Sequence, residues 1–159
     1  VSPLKPRDLK NFRGLDFFEF DSSYVVYAKI QETVDSPPFK MKTTTDTPAD
    51  FRKYGTLIFN INDEQYKLTA YENLDYLDME GYENYLFLPF LDKTNGYETY
   101  GGGRYIDLYQ YDNDSILIDF NRAYNPQCVY DENFSCPIVP RNNLLNIRIE
   151  AGVKNFDKN

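Results

Sequence analysis

A chain of 159 residues suits one domain, 1–159, because two independent cores of half that size would each be marginal. Lys and Arg number 17 against 25 Asp and Glu, a net charge of −8, which disfavours nucleic-acid binding and attachment to anionic lipid through a basic patch. Histidine is absent, so Ser-His-Asp and Cys-His chemistry and every histidine-ligated metal site are excluded within this chain.

The mean hydropathy of −0.62 leaves few apolar residues to spare, and the core must be built largely from Phe, Tyr, Leu and Ile. With 15 Tyr, 12 Phe and no Trp, the aromatic set fits pleated, half-buried surfaces better than helix faces. No apolar run approaches the roughly 20 residues that cross a bilayer as a helix, and no secretory signal pattern stands at Val1. A first residue other than Met suggests a processed or trimmed chain, compatible with a removed signal or a lipid anchor upstream of Val1.

In chain order, SPLKPRDLKNFRG predicts a short N-terminal helix or arm over 1–14, with Pro3 or Pro6 in the first turn and Gly14 as its stop. FFEFDSSYVVYAKIQ predicts a short aromatic strand, an Asp-Ser-Ser turn and a longer strand with Tyr24, Val26 and Ala28 on one face. Pro37 and Pro38 mark a loop, and FKMKTTT then alternates with Phe39 and Met41 inward. The runs in GTLIFNINDEQYKLTAYEN flank Asn62-Asp63-Glu64 and predict a hairpin.

The acidic stretch from Leu74 to Gly81 is turn-like, and YLFLPFL follows as the candidate centre of the core. Asn95-Gly96 is a strong turn signal. RYIDLYQY and SILIDF read as strands joined by Asp112-Asn113-Asp114, and NNLLNIRIEAG as a closing strand. The expectation is a mainly β fold, an antiparallel β-sandwich or β-barrel of about eight to ten strands.

Chemistry-bearing residues concentrate in TYGGGRYIDLYQYDNDSILIDFNRAYNP. Gly101-Gly102-Gly103 runs into a strand rather than a helix, so a phosphate loop fails on context and a bulge or tight bend is favoured. Arg104, Tyr105, Asn121, Arg122, Tyr124 and Asn125 form a candidate ligand site. Two arginines clamp a carboxylate or phosphate well, and Tyr and Asn supply orienting hydrogen bonds. Strand alternation places Asp119 with Asn121 on one face and Arg122 on the other. The structural alternative is a buried polar network in which Asp119 pairs with an arginine.

Cys128 and Cys136 flank VYDENFS and read as a disulfide closing a loop of nine residues, with two free thiols or a catalytic thiol as the other readings. Neither a second Cys pair nor any His accompanies them, so no metal site is expected, and no cofactor motif emerges.

The run FLPFLDKTNGYETYGGGRYIDL, followed by DFNRAYNPQCVYDENFSCPIVPRNNL and IEAGVK, resembles the bacterial family catalogued as domain of unknown function 1684. The likeness extends upstream through SPL, FRGLDFFEFD and FKMKTTTD, and so covers nearly the whole chain. It implies an extracytoplasmic protein: periplasmic, secreted or lipid-anchored to the envelope. A disulfide between Cys128 and Cys136 agrees with that, and the family assigns no activity.

Three functions follow as expectations. The first is an envelope or secreted β-domain binding a small polar or anionic ligand. The second is a hydrolase or lyase with Asp119 as general base and Arg104 stabilising negative charge. The third is a non-catalytic interaction module of the cell envelope, engaging its partner through an exposed aromatic patch.

Overall fold

Asn62 and Asp63 take φ values of 50° and 67°, the paired left-handed conformation of a type I′ hairpin turn. They join β3 (Ala49–Ile61) to β4 (Glu64–Asn73) in the longest ladder of the protein, which runs from Ile61↔Glu64 to Phe51↔Asn73. A bulge between Lys53 and Gly55 interrupts it. The structure is a computed structural model, and it describes residues 2–10, 12–112 and 114–156.

Five further strands complete one antiparallel sheet: β1 (Val25–Glu32), β2 (Phe39–Met41), β5 (Tyr85–Phe90), β6 (Arg104–Tyr109) and β7 (Ser115–Asp119). Their order is β6-β5-β4-β3-β1-β7, with β2 beside β3. The sheet curls into a half-barrel, and its two end strands β6 and β7 share no ladder. The sandwich or closed barrel of eight to ten strands is therefore replaced by seven curled strands.

Two expected strands account for the difference. The aromatic stretch at 17–20 and the closing segment at 142–152, the latter broken by a turn and bends, form no ladder among the described residues and make the single bridges Phe17↔Val153 and Leu91↔Leu144. In the closing segment, the carbonyls of Ile149, Ala151 and Val153 accept hydrogen bonds from the Arg104 guanidinium. A side chain stands where a neighbouring strand would.

The expected helix over 1–14 shrinks to one turn, α1 (Pro6–Leu9). Lys5 supplies no capping side chain and Leu9 is exposed, so neither a cap nor an apolar stripe extends it. Asn11, inside the expected helix, lies outside the described residues, as does Asn113 of the expected β6–β7 turn.

The concave face of the sheet holds the main core, to which Leu57, Leu68, Leu88, Ile106, Ile118 and Ile149 contribute. β5 is buried on both faces, as its unbroken apolar sequence predicts. Leu86, Leu88 and Phe90 enter the main core, while Phe87 joins Phe51, Tyr71, Tyr105, Met41 and Val139 in a second cluster on the other face. β4 and β5 pair only at Tyr71↔Phe87. Beyond that pair Asn143 bridges them: its side chain accepts from Thr69 N–H and donates to the carbonyls of Thr69 and Pro89, each at 2.8 Å.

Candidate functional site

Along β6 the alternation sends Arg104, Ile106 and Leu108 inward and turns Tyr105, Asp107 and Tyr109 to the opposite face. The register Tyr85↔Tyr109 and Phe87↔Asp107 puts β5 residues beside them. Against this face lie residues 43–49, 73–76 and 127–137, and between them is a cavity of about 560 Å³. Phe51, Phe87 and Tyr105 are its most buried aromatic residues, Tyr76, Tyr85 and Tyr124 are more exposed, and Thr43, Asn73, Asp75, Gln127, Ser135 and Cys136 supply polar groups. None of the described lining residues is Lys or Arg.

The tyrosines are held by specific acceptors. Tyr85 and Tyr124 both donate their hydroxyl protons to the same oxygen of Asp107, at 2.8 and 2.7 Å. The Tyr105 hydroxyl donates to the Pro137 carbonyl, and its ring meets those of Phe87 and Tyr124 edge-on. Tyr76 stacks among Tyr82 and Tyr85. A second groove of about 500 Å³ lies on the far side of Tyr124, between β6 and β7, and is lined by Asp107, Tyr109, Tyr111, Leu117, Asp119 and Arg122.

The sequence-derived candidates divide between these surroundings. Tyr105 and Tyr124 meet at the first cavity, and Arg122 joins Tyr124 at the second groove. Arg104 reaches neither. It is fully buried, paired with the equally buried Asp92 at 3.5 Å, bonded to three main-chain carbonyls and stacked over the Phe90 ring. Burial lowers its pKa, and the Asp92 carboxylate opposes that shift. Arg104 and Arg122 thus share no pocket, and Arg104 pairs with Asp92 rather than Asp119.

Asp119 is the last residue of β7 and caps the 3₁₀ turn Phe120–Arg122, accepting from the Asn121 main-chain N–H at 3.0 Å. Strand alternation ends there, so facing cannot be counted on through Asn121 and Arg122. The Asn121 side chain bonds both main-chain groups of Asp21. Asn125 is buried, donates to the Tyr130 hydroxyl and the Lys154 carbonyl, and among the described residues has no partner for its own carbonyl oxygen.

Tyr85, Asp107, Tyr76 and Asn73 were not among the candidates. The signal for Asp107 was present in the outward set Tyr105, Asp107 and Tyr109 of a single strand; nothing local connects Asn73 or Gln127 to them. Cys128 and Cys136 are neighbouring free thiols, with Cys128 N–H donating to Cys136 Sγ at 3.0 Å. A hydrogen bond from Cys136 brings the Cys128 thiol down to about 7, and the same contact pushes Cys136 up.

The phenols of Tyr85, Tyr105 and Tyr124 are all pushed above their ordinary value of 10, first by burial and then by nearby Asp107, tyrosine or thiol groups. Their folded-state pKa values exceed the unfolded ones, so the stability they contribute is present below pH 10 and lost as pH rises beyond it. An ultraviolet titration of tyrosinate should show a set of phenols ionising only as the fold opens. Smooth ionisation of all tyrosines near pH 10 with the fold intact would contradict it.

A model of the family described as protein of unknown function, DUF1684, matches residues 10–154. The chain belongs to the DUF1684 family. An uncharacterized protein of Haloarcula marismortui, solved by solution NMR, is 34% identical to this DUF1684 chain. The likeness covers 96% of this chain and 82% of that one, with a TM-score of 0.77. No curated protein matches. No helix among the described residues is long and apolar enough to cross a membrane.

Proposed function

We propose that this DUF1684 protein binds a small polar ligand in the tyrosine-lined cavity and works outside the cytoplasm. The observation that carries the reading is the Tyr85–Asp107–Tyr124 arrangement, in which one carboxylate oxygen orients two phenols at the wall of an open cavity. Aromatic faces with a few placed polar groups are the usual make-up of a small-molecule site. With no Lys or Arg among its described lining residues, this cavity suits neutral or cationic ligands. An anionic ligand would depend on Arg122 in the second groove.

Ligand-observed NMR against a metabolite library tests the proposal. Asp107 is exposed, so Asp107→Ala leaves the fold intact while releasing both phenols. Hits should bind the variant about tenfold more weakly, because the two phenols are no longer held in place before the ligand arrives. Hits that bind Asp107→Ala as well as the parent would sink the reading.

Work outside the cytoplasm implies that the adjacent thiols of Cys128 and Cys136 are joined there, since an oxidising compartment favours the disulfide. Oxidative refolding should then remove two hydrogens from the mass and stabilise the protein by about 2.5 kcal/mol in the chain-entropy model. Two alkylatable thiols remaining after that treatment would argue against it.

A second reading, an interaction module, is favoured by the exposed aromatic ground beside the β6–β7 groove. Tyr27 and Leu117 are register partners on β1 and β7, and both are exposed, as are Tyr109 and Tyr111. Loss of a co-purifying partner on Tyr111→Ser, with small-molecule binding unchanged, would distinguish it.

A further inference from the structure

We infer that the ligand of the tyrosine-lined cavity carries an alkylated ammonium group, an organic cation held against ring faces. The inference rests on the cavity being a ligand site, as proposed above, and adds what the site selects. The phenolic protons of Tyr85, Tyr124 and Tyr105 are committed to Asp107 and to the Pro137 carbonyl. Those three hydroxyls therefore have no proton to give a ligand.

Each remains an acceptor, and a phenol that donates to a carboxylate or carbonyl gains electron density in its ring. Around Tyr85, Tyr105 and Tyr124 the cavity thus offers π-faces and lone pairs. That favours a positive, apolar-skinned group, which ring quadrupoles attract and which needs no hydrogen-bond acceptor.

Charge agrees with this. Asp75 stands in the cavity lining, no described lining residue is Lys or Arg, and Asp107 accepts from the hydroxyls of two of the rings. The whole chain, at −8, raises the local concentration of cations at its surface. A sugar would find amides in Asn73 and Gln127 and acceptor oxygens at the tyrosines, but it carries no positive charge for Asp75 and the ring faces to attract, which makes glucose the competing probe.

The test is an NMR titration of the full chain with choline. Two further probes are its uncharged isostere, in which carbon replaces the ammonium nitrogen, and glucose. Choline should shift the resonances of Tyr85, Tyr105 and Tyr124 saturably and bind about tenfold more tightly than the isostere. Asp75→Asn, an exposed change that spares the fold, should weaken choline several-fold and leave the isostere unchanged.

Equal affinity for choline and the isostere, or saturable binding of glucose alone, would overturn the cation inference while leaving the cavity as a ligand site. If none of the probes perturbs the cavity tyrosines while library hits bind there, the cation inference falls by itself. If neither probes nor library hits bind there, the ligand-site reading falls too.

Discussion

Arg104→Ala should cost about 3–5 kcal/mol of stability, the range seen when one partner of a buried ion pair is removed and a large fraction of what a domain of this size has. The truncation strips the closing segment of the donor that satisfies the carbonyls of Ile149, Ala151 and Val153. It also leaves the fully buried Asp92 carboxylate without its cation. Asp92 would still accept from Thr94 and from the Ile149 N–H, which holds the loop but does not neutralise the charge.

Arg104→Lys should recover only part of the loss. A single ammonium cannot reproduce a planar fork that reaches three carbonyls and a carboxylate while stacking on Phe90. Chemical denaturation of the parent and both variants measures this directly. An Arg104→Ala protein within about 1 kcal/mol of the parent would show that the residue is not the staple of the C-terminal segment.

Gly103→Ala is the second large effect, expected at about 2–4 kcal/mol from backbone strain and overpacking together. Gly103 sits at φ 95°, and a Cβ there would lie 2.6 Å from the Phe90 carbonyl oxygen and 3.0 Å from side-chain carbons of Leu91 and Val139. The carbonyl belongs to a central strand and cannot retreat.

Gly101→Ala is the internal control. A Cβ there meets nothing closer than 3.9 Å, and the change should stay within about 0.5 kcal/mol. Equal costs at the two positions would mean that the glycine run works through flexibility rather than through close approach at Gly103. The triple glycine is thus a tight bend that needs its last two members: a Cβ on Gly102 would lie 2.5 Å from the Tyr100 ring, and Gly103 delivers Arg104 to the inner face of β6.

That inward path was legible in RYIDLYQY. Period-two alternation groups Arg104 with Ile106 and Leu108, and in the fold all three are buried. Charge argued the other way, because an isolated arginine belongs in water, and the partner that reverses the balance, Asp92, lies in a different loop. The face was set by local geometry, whereas the tolerance for a buried guanidinium came from a contact across the chain. Asn121 and Asn125 repeat the pattern: their side chains reach Asp21 and Lys154, which no local spacing connects to them.

By itself the sequence determined an antiparallel, aromatic-rich β fold, the hairpin at Asn62-Asp63, the doubly buried β5 and the neighbourhood of Tyr105 and Tyr124. These depend on backbone sterics and on apolar alternation within a few residues. Only the tertiary structure decided that the sheet stays a half-barrel, that Arg104 replaces a strand, and that Tyr85 and Tyr124, both held by Asp107, line a cavity with residues from 43–49 and 127–137. A β-strand presents two faces and two edges, and what covers each is fixed by chain arriving from far away, which leaves no periodic trace in the strand itself.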